Sequence, residues 1–137
     1  LNDRILKKLK LIIPNSNIQS GNVDISFYRD DLMRRDQPII PQTMDIDFSL
    51  EAKKVVLIDD VLFTGRSVRS AIDALMTFGR PESVELLTLI NRRFSRHLPI
   101  QPNYVGKKID AIDSERIIVE WQENCGIDRV LMRKSES

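Results

Sequence analysis

The stretch VVLIDDVLFTGRS, Val55–Ser67, joins an apolar run, two adjacent acids and a short turn with hydroxyl side chains. Its first residues, Val55–Ile58, are aliphatic and mostly β-branched, which is typical of a strand buried on both faces of a parallel sheet. Asp59 and Asp60 follow directly, and Thr-Gly-Arg-Ser comes next. A helical pattern begins at Val68, so the stretch predicts a strand, a loop and a helix in succession.

The residues after the loop continue the pattern of an α/β protein. Apolar side chains recur at helical spacing from Val68 to Phe78, and Gly79 and Pro81 are signals that end a helix. Ser83–Ile90 is a second apolar strand. Strand, helix and strand in this order form a right-handed βαβ unit, which predicts a sheet that is at least partly parallel.

Further elements are predicted on both sides of this unit. Leu1, Ile5, Leu9 and Ile12 lie at helical spacing before Pro14 and predict an amphipathic helix. Shorter strands are expected at Val23–Phe27, Tyr104–Lys107, Arg116–Trp121 and Arg129–Met132. Two loops are expected, one polar and one basic, at Arg29–Gln42 and Asn91–Asn103. Trp121 is expected in the core or at an interface.

Composition indicates one globular domain over residues 1–137. The chain is 42% hydrophobic and 30% charged, and its net charge of +1 favours no class of partner. Its single cysteine, Cys125, rules out an intrachain disulfide and fits a reducing, cytoplasmic location. The sequence has no apolar run of the roughly 18 residues that a membrane span needs.

The order of residues in Val55–Ser67 also predicts a binding site. In open α/β sheets ligands bind at the carboxyl ends of the strands, where Asp59 and Asp60 are expected. The helix that follows begins with small and hydroxyl residues, and helix N-termini bind anions such as phosphate. Carboxylates instead suit sugar hydroxyls, or a Mg²⁺ that carries a polyphosphate. Neither GxxxxGK[ST] nor GxGxxG is present, which excludes a P-loop and a dinucleotide fingerprint.

VVLIDDVLFTGRS closely resembles the phosphoribosyl-diphosphate-binding motif of type I phosphoribosyltransferases. The segments DISFYRDD, DALMTFGRPESVELLTLI and LPIQPNYVGKKI extend the resemblance to the family of pyrimidine operon regulators and uracil phosphoribosyltransferases, over roughly Val23–Trp121. The resemblance implies the type I phosphoribosyltransferase fold, which is a mostly parallel sheet flanked by helices with a flexible loop and a small hood.

The resemblance also implies a role for individual residues. Asp59 and Asp60 would be catalytic, would hold the ribose hydroxyls and would reach Mg²⁺ indirectly. Arg29 would be a third catalytic residue, in a flexible loop that opens with Tyr28, Arg29 and Asp30. The residues that bind ribose and the 5′-phosphate would be Asp59, Asp60, Val61, Leu62, Thr64, Gly65, Arg66 and Ser67.

A glycosyltransferase reaction follows from the same resemblance. Uracil would displace Mg-diphosphate from 5-phosphoribosyl 1-diphosphate and give UMP. The family also regulates pyrimidine operons by binding messenger-RNA leaders, and it forms homodimers or larger assemblies. The basic candidates for the base hood or for RNA are Arg92, Arg93, Arg96, His97 and Lys107, although a solvated basic loop would give the same pattern.

The sequence departs from the family's pattern in two places. The Thr-Arg-Gly or Pro-Arg-Gly loop that binds diphosphate is not found, so we expect a domain that is incomplete at its N-terminus. Asn91 stands where the family commonly has Asp, and the lost charge is expected to weaken base recognition or a structural hydrogen bond. The alternative functions are another type I phosphoribosyltransferase, for a purine or for orotate, and a regulator that only senses nucleotides and binds RNA.

Overall fold

A parallel sheet forms the centre of the fold in the computed structural model, which describes residues 1–25 and 45–134. Its strands are β1 (Lys54–Leu62), β2 (Ser83–Arg92) and β3 (Tyr104–Ile109), in the order β1-β2-β3. Both neighbouring pairs are parallel. The prediction of a βαβ unit with a parallel sheet is therefore confirmed.

The crossover helix α2 (Arg66–Leu75) buries one face against this sheet. Its buried residues are Val68, Ala71, Ala74 and Leu75, which recur at helical spacing. A single 3₁₀ turn, Met76–Phe78, extends the helix to Gly79. Gly79 has a φ of 129°, and a Cβ at this position would lie 2.6 Å from the backbone nitrogen of Glu51. The sequence therefore stops the helix with a residue that no larger side chain can replace without strain.

The core lies between α2 and the sheet. Leu62, Val68 and Leu86 form its fully buried cluster, and Leu57, Ile72 and Ile100 pack against it. Leu62 ends β1 and is only 1% exposed. Its side chain, which the family resemblance places among the substrate-binding residues, is thus directed into the core.

A second, two-stranded sheet follows β3. Strands β4 (Glu115–Glu120) and β5 (Arg129–Lys134) pair in antiparallel fashion, and the short helix α3 (Gln122–Cys125) lies between them. The first helix, α1 (Asn2–Ile12), ends just before Pro14, as predicted. Arg4 of α1 forms ion pairs with Glu123 and Asp128, at 2.6 and 2.7 Å. None of the helices in the described part of the chain is both long and apolar enough to cross a membrane.

The structure differs from the sequence expectations in the extent of the strands. Val23–Ile25 are not in a strand, since among residues 1–25 and 45–134 the pairing beside them is an isolated bridge between Asn22 and Asp45. Ser26 and Phe27 of that predicted strand lie outside the described residues. In contrast, β1 and β2 run further than their apolar runs, since ladder hydrogen bonds are made by the backbone and continue through polar residues. Asp59 pairs with Thr88 and Leu62 with Asn91 in this extension.

The core position of Leu62 leads to a stability prediction. Leu62→Ala should lower the free energy of unfolding by about 2–5 kcal/mol, because it removes buried methyl groups and leaves a cavity. Val56→Ala on the same strand is the matched control, since Val56 is 48% exposed and should cost under about 1 kcal/mol. Urea denaturation measures both, and equal losses in the two variants would contradict the core assignment.

The pairs formed by Arg4 lead to a prediction of pH dependence. Hydrogen bonds from Arg4 lower the pKa of Glu123 and of Asp128. Carboxylates with a lowered pKa stabilise the fold above their ordinary values, 4.5 for Glu and 3.8 for Asp, and this stabilisation is lost as the pH falls through the lowered values. Arg4→Met should therefore lower the urea midpoint at pH 7, and the difference from wild type should shrink below about pH 4. A difference that is constant from pH 7 to pH 3 would show that the carboxylates do not cause it.

Candidate functional site

The two acids lie in the last part of β1, where they are half-buried and have different partners. Oδ1 of Asp59 accepts a hydrogen bond of 2.8 Å from the backbone N–H of Asp60. Oδ2 of Asp60 accepts one of 3.3 Å from the indole Nε1–H of Trp121. Both carboxylates are therefore oriented by neighbouring groups at the carboxyl end of a parallel strand.

The turn after β1 leads into α2 through Thr64 and Gly65. Gly65 has a φ of 91°, a left-handed conformation that favours glycine. The Thr64 hydroxyl oxygen accepts a hydrogen bond of 3.3 Å from the N–H of Arg66. The backbone N–H groups in the first turn of a helix have no partner within that helix. Those of Ser67 and Val68 can therefore bind an anion at the N-terminal end of α2.

The segment after β2 holds this turn from the other side. The Thr64 carbonyl accepts hydrogen bonds from the backbone N–H groups of His97, at 2.9 Å, and Leu98, at 3.2 Å. A Cβ on Gly65 would lie 3.4 Å from a side-chain atom of Ile100. The turn of Thr64 and Gly65 is therefore packed against residues 97–100 and hydrogen-bonded to them.

Arg92, a predicted hood or RNA residue, is buried within β2 and is 4% exposed. Its guanidinium lies 3.7 Å from the centre of the Phe63 ring, and its Nη2–H donates to the carbonyl of Ile112 at 2.9 Å. Its Nε makes no hydrogen bond to any residue that the structure describes. Arg92 thus supports the turn at Phe63 from beneath the protein surface.

Arg96 contacts the same turn. Its Nη1–H donates to the Phe63 carbonyl at 2.5 Å, and its Nη2–H donates to Oδ1 of Asn91 at 2.6 Å. Burial lowers the pKa of Arg96. Asn91 therefore keeps a hydrogen bond at the position where the family commonly has Asp, although it brings no negative charge to Arg96.

The other basic candidates are exposed. Arg93 forms a two-pronged ion pair with Asp110, which raises the pKa of Arg93 and lowers that of Asp110. His97 is exposed beside the turn, and Lys107 is exposed on β3. The side chains of Arg92 and Arg96 therefore contact the turn, whereas those of Arg93, His97 and Lys107 are exposed and His97 contacts the turn through its backbone N–H.

The structure also brings to the site a residue whose role the sequence did not predict. Trp121 lies just after β4, at the start of α3, and its indole reaches Asp60 across 61 positions of the chain. No local pattern could have shown this contact, because it depends on how the second sheet packs against β1. The candidate loop residues Tyr28, Arg29 and Asp30 lie outside the described residues.

Comparison with known proteins agrees with this geometry. The sequence model of the phosphoribosyl transferase domain matches residues 1–124. A protein named bifunctional protein pyrR from Enterococcus faecalis is 41% identical over 131 residues, which is 96% of this chain and 72% of that protein. The protein named bifunctional protein PyrR from Halalkalibacterium halodurans is 48% identical over 120 residues, 85% of this chain and 66% of the relative.

A third relative, the bifunctional protein PyrR of Acetivibrio thermocellus, is 46% identical over 133 residues, 96% of this chain and 71% of its own length. The chain thus spans 66–72% of the length of these three relatives. The parallel sheet, the acid pair, the turn into α2 and these matches agree with one another. The chain belongs to the phosphoribosyltransferase family, on the branch of the PyrR proteins.

Proposed function

We propose that the chain transfers the phosphoribosyl group of 5-phosphoribosyl 1-diphosphate to uracil, forming UMP and diphosphate. The observation that carries the proposal is the acid pair of β1 followed by a glycine turn into α2. The relatives belong to the same family as this chain and are named as bifunctional PyrR proteins.

The two halves of the site suit the two halves of the sugar phosphate. Carboxylates of Asp59 and Asp60 accept hydrogen bonds from the ribose hydroxyls. Thr64, Gly65, Arg66 and Ser67 surround the 5′-phosphate with backbone N–H groups, a hydroxyl and the positive end of the helix dipole. Val61 and Leu62 contribute their backbone at the end of β1, because the Leu62 side chain is buried in the core.

The reaction requires position and charge more than a nucleophilic side chain. The bond from uracil N1 to ribose C1 forms as the C1–O bond to diphosphate breaks, and the N1 proton is released. Holding ribose and phosphate at two fixed points places C1 in a defined position relative to the base, which lowers the entropic part of the barrier. Positive charge that develops at the ribose ring is stabilised by the carboxylates beside it.

Asp59 and Asp60 also suit a Mg²⁺ ion that arrives with the diphosphate. Mg²⁺ is commonly held by one or two carboxylates together with substrate phosphates and water. Residues 1–25 and 45–134 contain no group of three or more acidic, histidine or cysteine side chains that could hold a metal alone. A bound Mg²⁺ would neutralise charge on the diphosphate leaving group.

The second part of the proposal is regulation through RNA. The relatives' names describe two functions, and Lys107 is exposed on β3. Basic side chains supply most of the affinity for a phosphate backbone. We propose this strand as the contact for a messenger-RNA leader, because Arg92 and Arg96 are engaged with the turn at Phe63.

Assembly into a homodimer or larger oligomer stays a prediction, which light scattering tests.

Replacing Asp60 tests the enzymatic proposal. Asp60→Asn should lower kcat/KM for UMP formation at least about tenfold, because it removes a charge that the ribose and the developing positive centre require. Asp73→Asn on the exposed face of α2 is the matched control and should leave the rate unchanged. The assay follows radiolabelled uracil with Mg²⁺. If the wild-type protein forms no UMP but converts hypoxanthine or orotate, then that base, and not uracil, is its substrate.

Replacing Lys107 tests the RNA proposal. Lys107→Glu should weaken binding of the pyrimidine operon leader and make its dependence on salt less steep, by about 0.7 in log–log slope for a contact to single-stranded RNA. Lys10→Glu on α1 provides the matched charge reversal away from β3. Gel-shift titrations at several salt concentrations measure both. Equal weakening by the two variants would mean that net charge, and not this strand, determines the binding.

A further inference from the structure

The contact between Trp121 and Asp60 connects the proposed site to the far end of the chain. The indole Nε1–H donates to Oδ2 of Asp60 at 3.3 Å. Trp121 is the chain's single tryptophan, and it is half-buried. An indole N–H is a donor only, so it can serve a carboxylate but cannot accept from a ribose hydroxyl. The hydrogen bond therefore orients Asp60 and leaves its other lone pairs available to a ligand.

The Trp121 ring is in turn held by Arg4. The guanidinium of Arg4 lies 4.7 Å from the centre of the ring, within the range of a cation–π contact. The same guanidinium donates to both carboxylate oxygens of Glu123, at 2.9 and 2.6 Å, and to both of Asp128, at 2.8 and 2.7 Å.

These four hydrogen bonds join the Arg4 guanidinium to two carboxylates at the protein surface. Oδ1 of Asp128 also accepts from the backbone N–H of Gln122 at 2.7 Å, which ties the network to the first residue of α3. The indole is therefore bounded by a cation with fixed hydrogen bonds on its face and by Asp60 at its N–H.

We propose that Trp121 is a positioning residue for Asp60, and that Arg4 with its two carboxylate partners positions Trp121. The inference rests on the proposed function, in which Asp60 accepts from a ribose hydroxyl. A carboxylate has about four lone-pair positions, so Asp60 can accept from Trp121 and from ribose together. Fixing one oxygen reduces the rotation of the carboxylate that binding would otherwise have to stop.

The position of the network also predicts which part of a ligand it affects. Trp121 contacts the acid half of the site and Arg4 contacts Trp121, whereas the phosphate half is held by residues 97–100 and by Arg92 and Arg96. Loss of the indole donor should therefore weaken binding of the ribose and leave binding of the phosphate unchanged. A residue with only a structural role would affect both halves.

The test compares ribose 5-phosphate with inorganic phosphate as probes on wild type and Trp121→Phe. Phenylalanine keeps an aromatic ring for Arg4 but removes the N–H donor. Binding of ribose 5-phosphate should weaken about tenfold, as expected for the loss of a hydrogen bond to a charged group. Binding of inorganic phosphate should stay within a factor of two of wild type. Unchanged affinity for ribose 5-phosphate, or equal weakening for both probes, would overturn the inference.

A double-mutant cycle assigns the effect to the hydrogen bond. In an Asp60→Ala background the Trp121→Phe substitution should cause no further weakening, because its partner is already gone. Additive losses would show that Trp121 acts on something other than Asp60. If wild type binds inorganic phosphate but not ribose 5-phosphate, the proposed function itself fails. If wild type and Trp121→Phe bind ribose 5-phosphate equally well, only the inference about Trp121 fails.

A measurement that keeps Trp121 covers the case in which Trp121→Phe does not fold. Because the chain has one tryptophan, its ¹⁵N–¹H spectrum contains one indole signal. That signal should shift and exchange faster with solvent in Asp60→Ala, and Arg4→Met should broaden or shift it. An indole signal that is identical in wild type and Asp60→Ala would overturn the inference.

Discussion

The parallel pairing of β1 with β2 is the constraint on which the rest of the structure depends. Its register places Asp59 beside Thr88 and Leu62 beside Asn91. The turn after β1 and the segment after β2 therefore leave the sheet side by side, and residues 97–100 can close over Thr64 and Gly65. The hydroxyl of Thr88, which is fully buried, lies 2.9 Å from the Ile90 carbonyl of β2 and 3.4 Å from the Asp60 carbonyl of β1, so it contacts both strands at this end of the sheet.

Around this pairing the chain uses charged side chains as internal supports. The buried guanidinium of Arg92 stacks on the Phe63 ring, and the partly buried guanidinium of Arg96 donates to the Phe63 carbonyl. Two guanidinium groups therefore contact the same residue. Burying a cation is costly unless hydrogen bonds or an aromatic face replace its hydration. Here the carbonyls of Phe63 and Ile112 and the amide of Asn91 supply that replacement. The turn that is proposed to bind phosphate is thus held firmly before any ligand arrives.

The sequence predicted the elements well and their long-range contacts poorly. Local signals were sufficient for α1, for α2 and for the order of β1, α2 and β2, because apolar periodicity and the residues Gly79 and Pro14 act over a few positions. The ends of β1 and β2 were not predictable from apolar runs, since backbone pairing continued through Asp59–Asp60 and Asn91–Arg92. A run of arginines reads as a surface cluster, although the fold buries Arg92 between a ring and a carbonyl. The contact of Trp121 with Asp60 depends on tertiary packing alone.

The hydrogen bonds from Arg4 to Glu123 and Asp128 also affect the order in which parts of the structure can form. They join residues that are 119 and 124 positions apart, so each closes a loop that includes most of the chain. Contacts of such separation form late in folding, because the entropy of closing the loop is lost before the contact compensates for it. During synthesis, residue 128 must leave the ribosome before Arg4 can form its ion pair with Asp128. Only then can the complete network hold the Trp121 ring beside Asp60. Residues up to Ile109, which complete the parallel sheet, therefore leave the ribosome before the residues that complete the acid site.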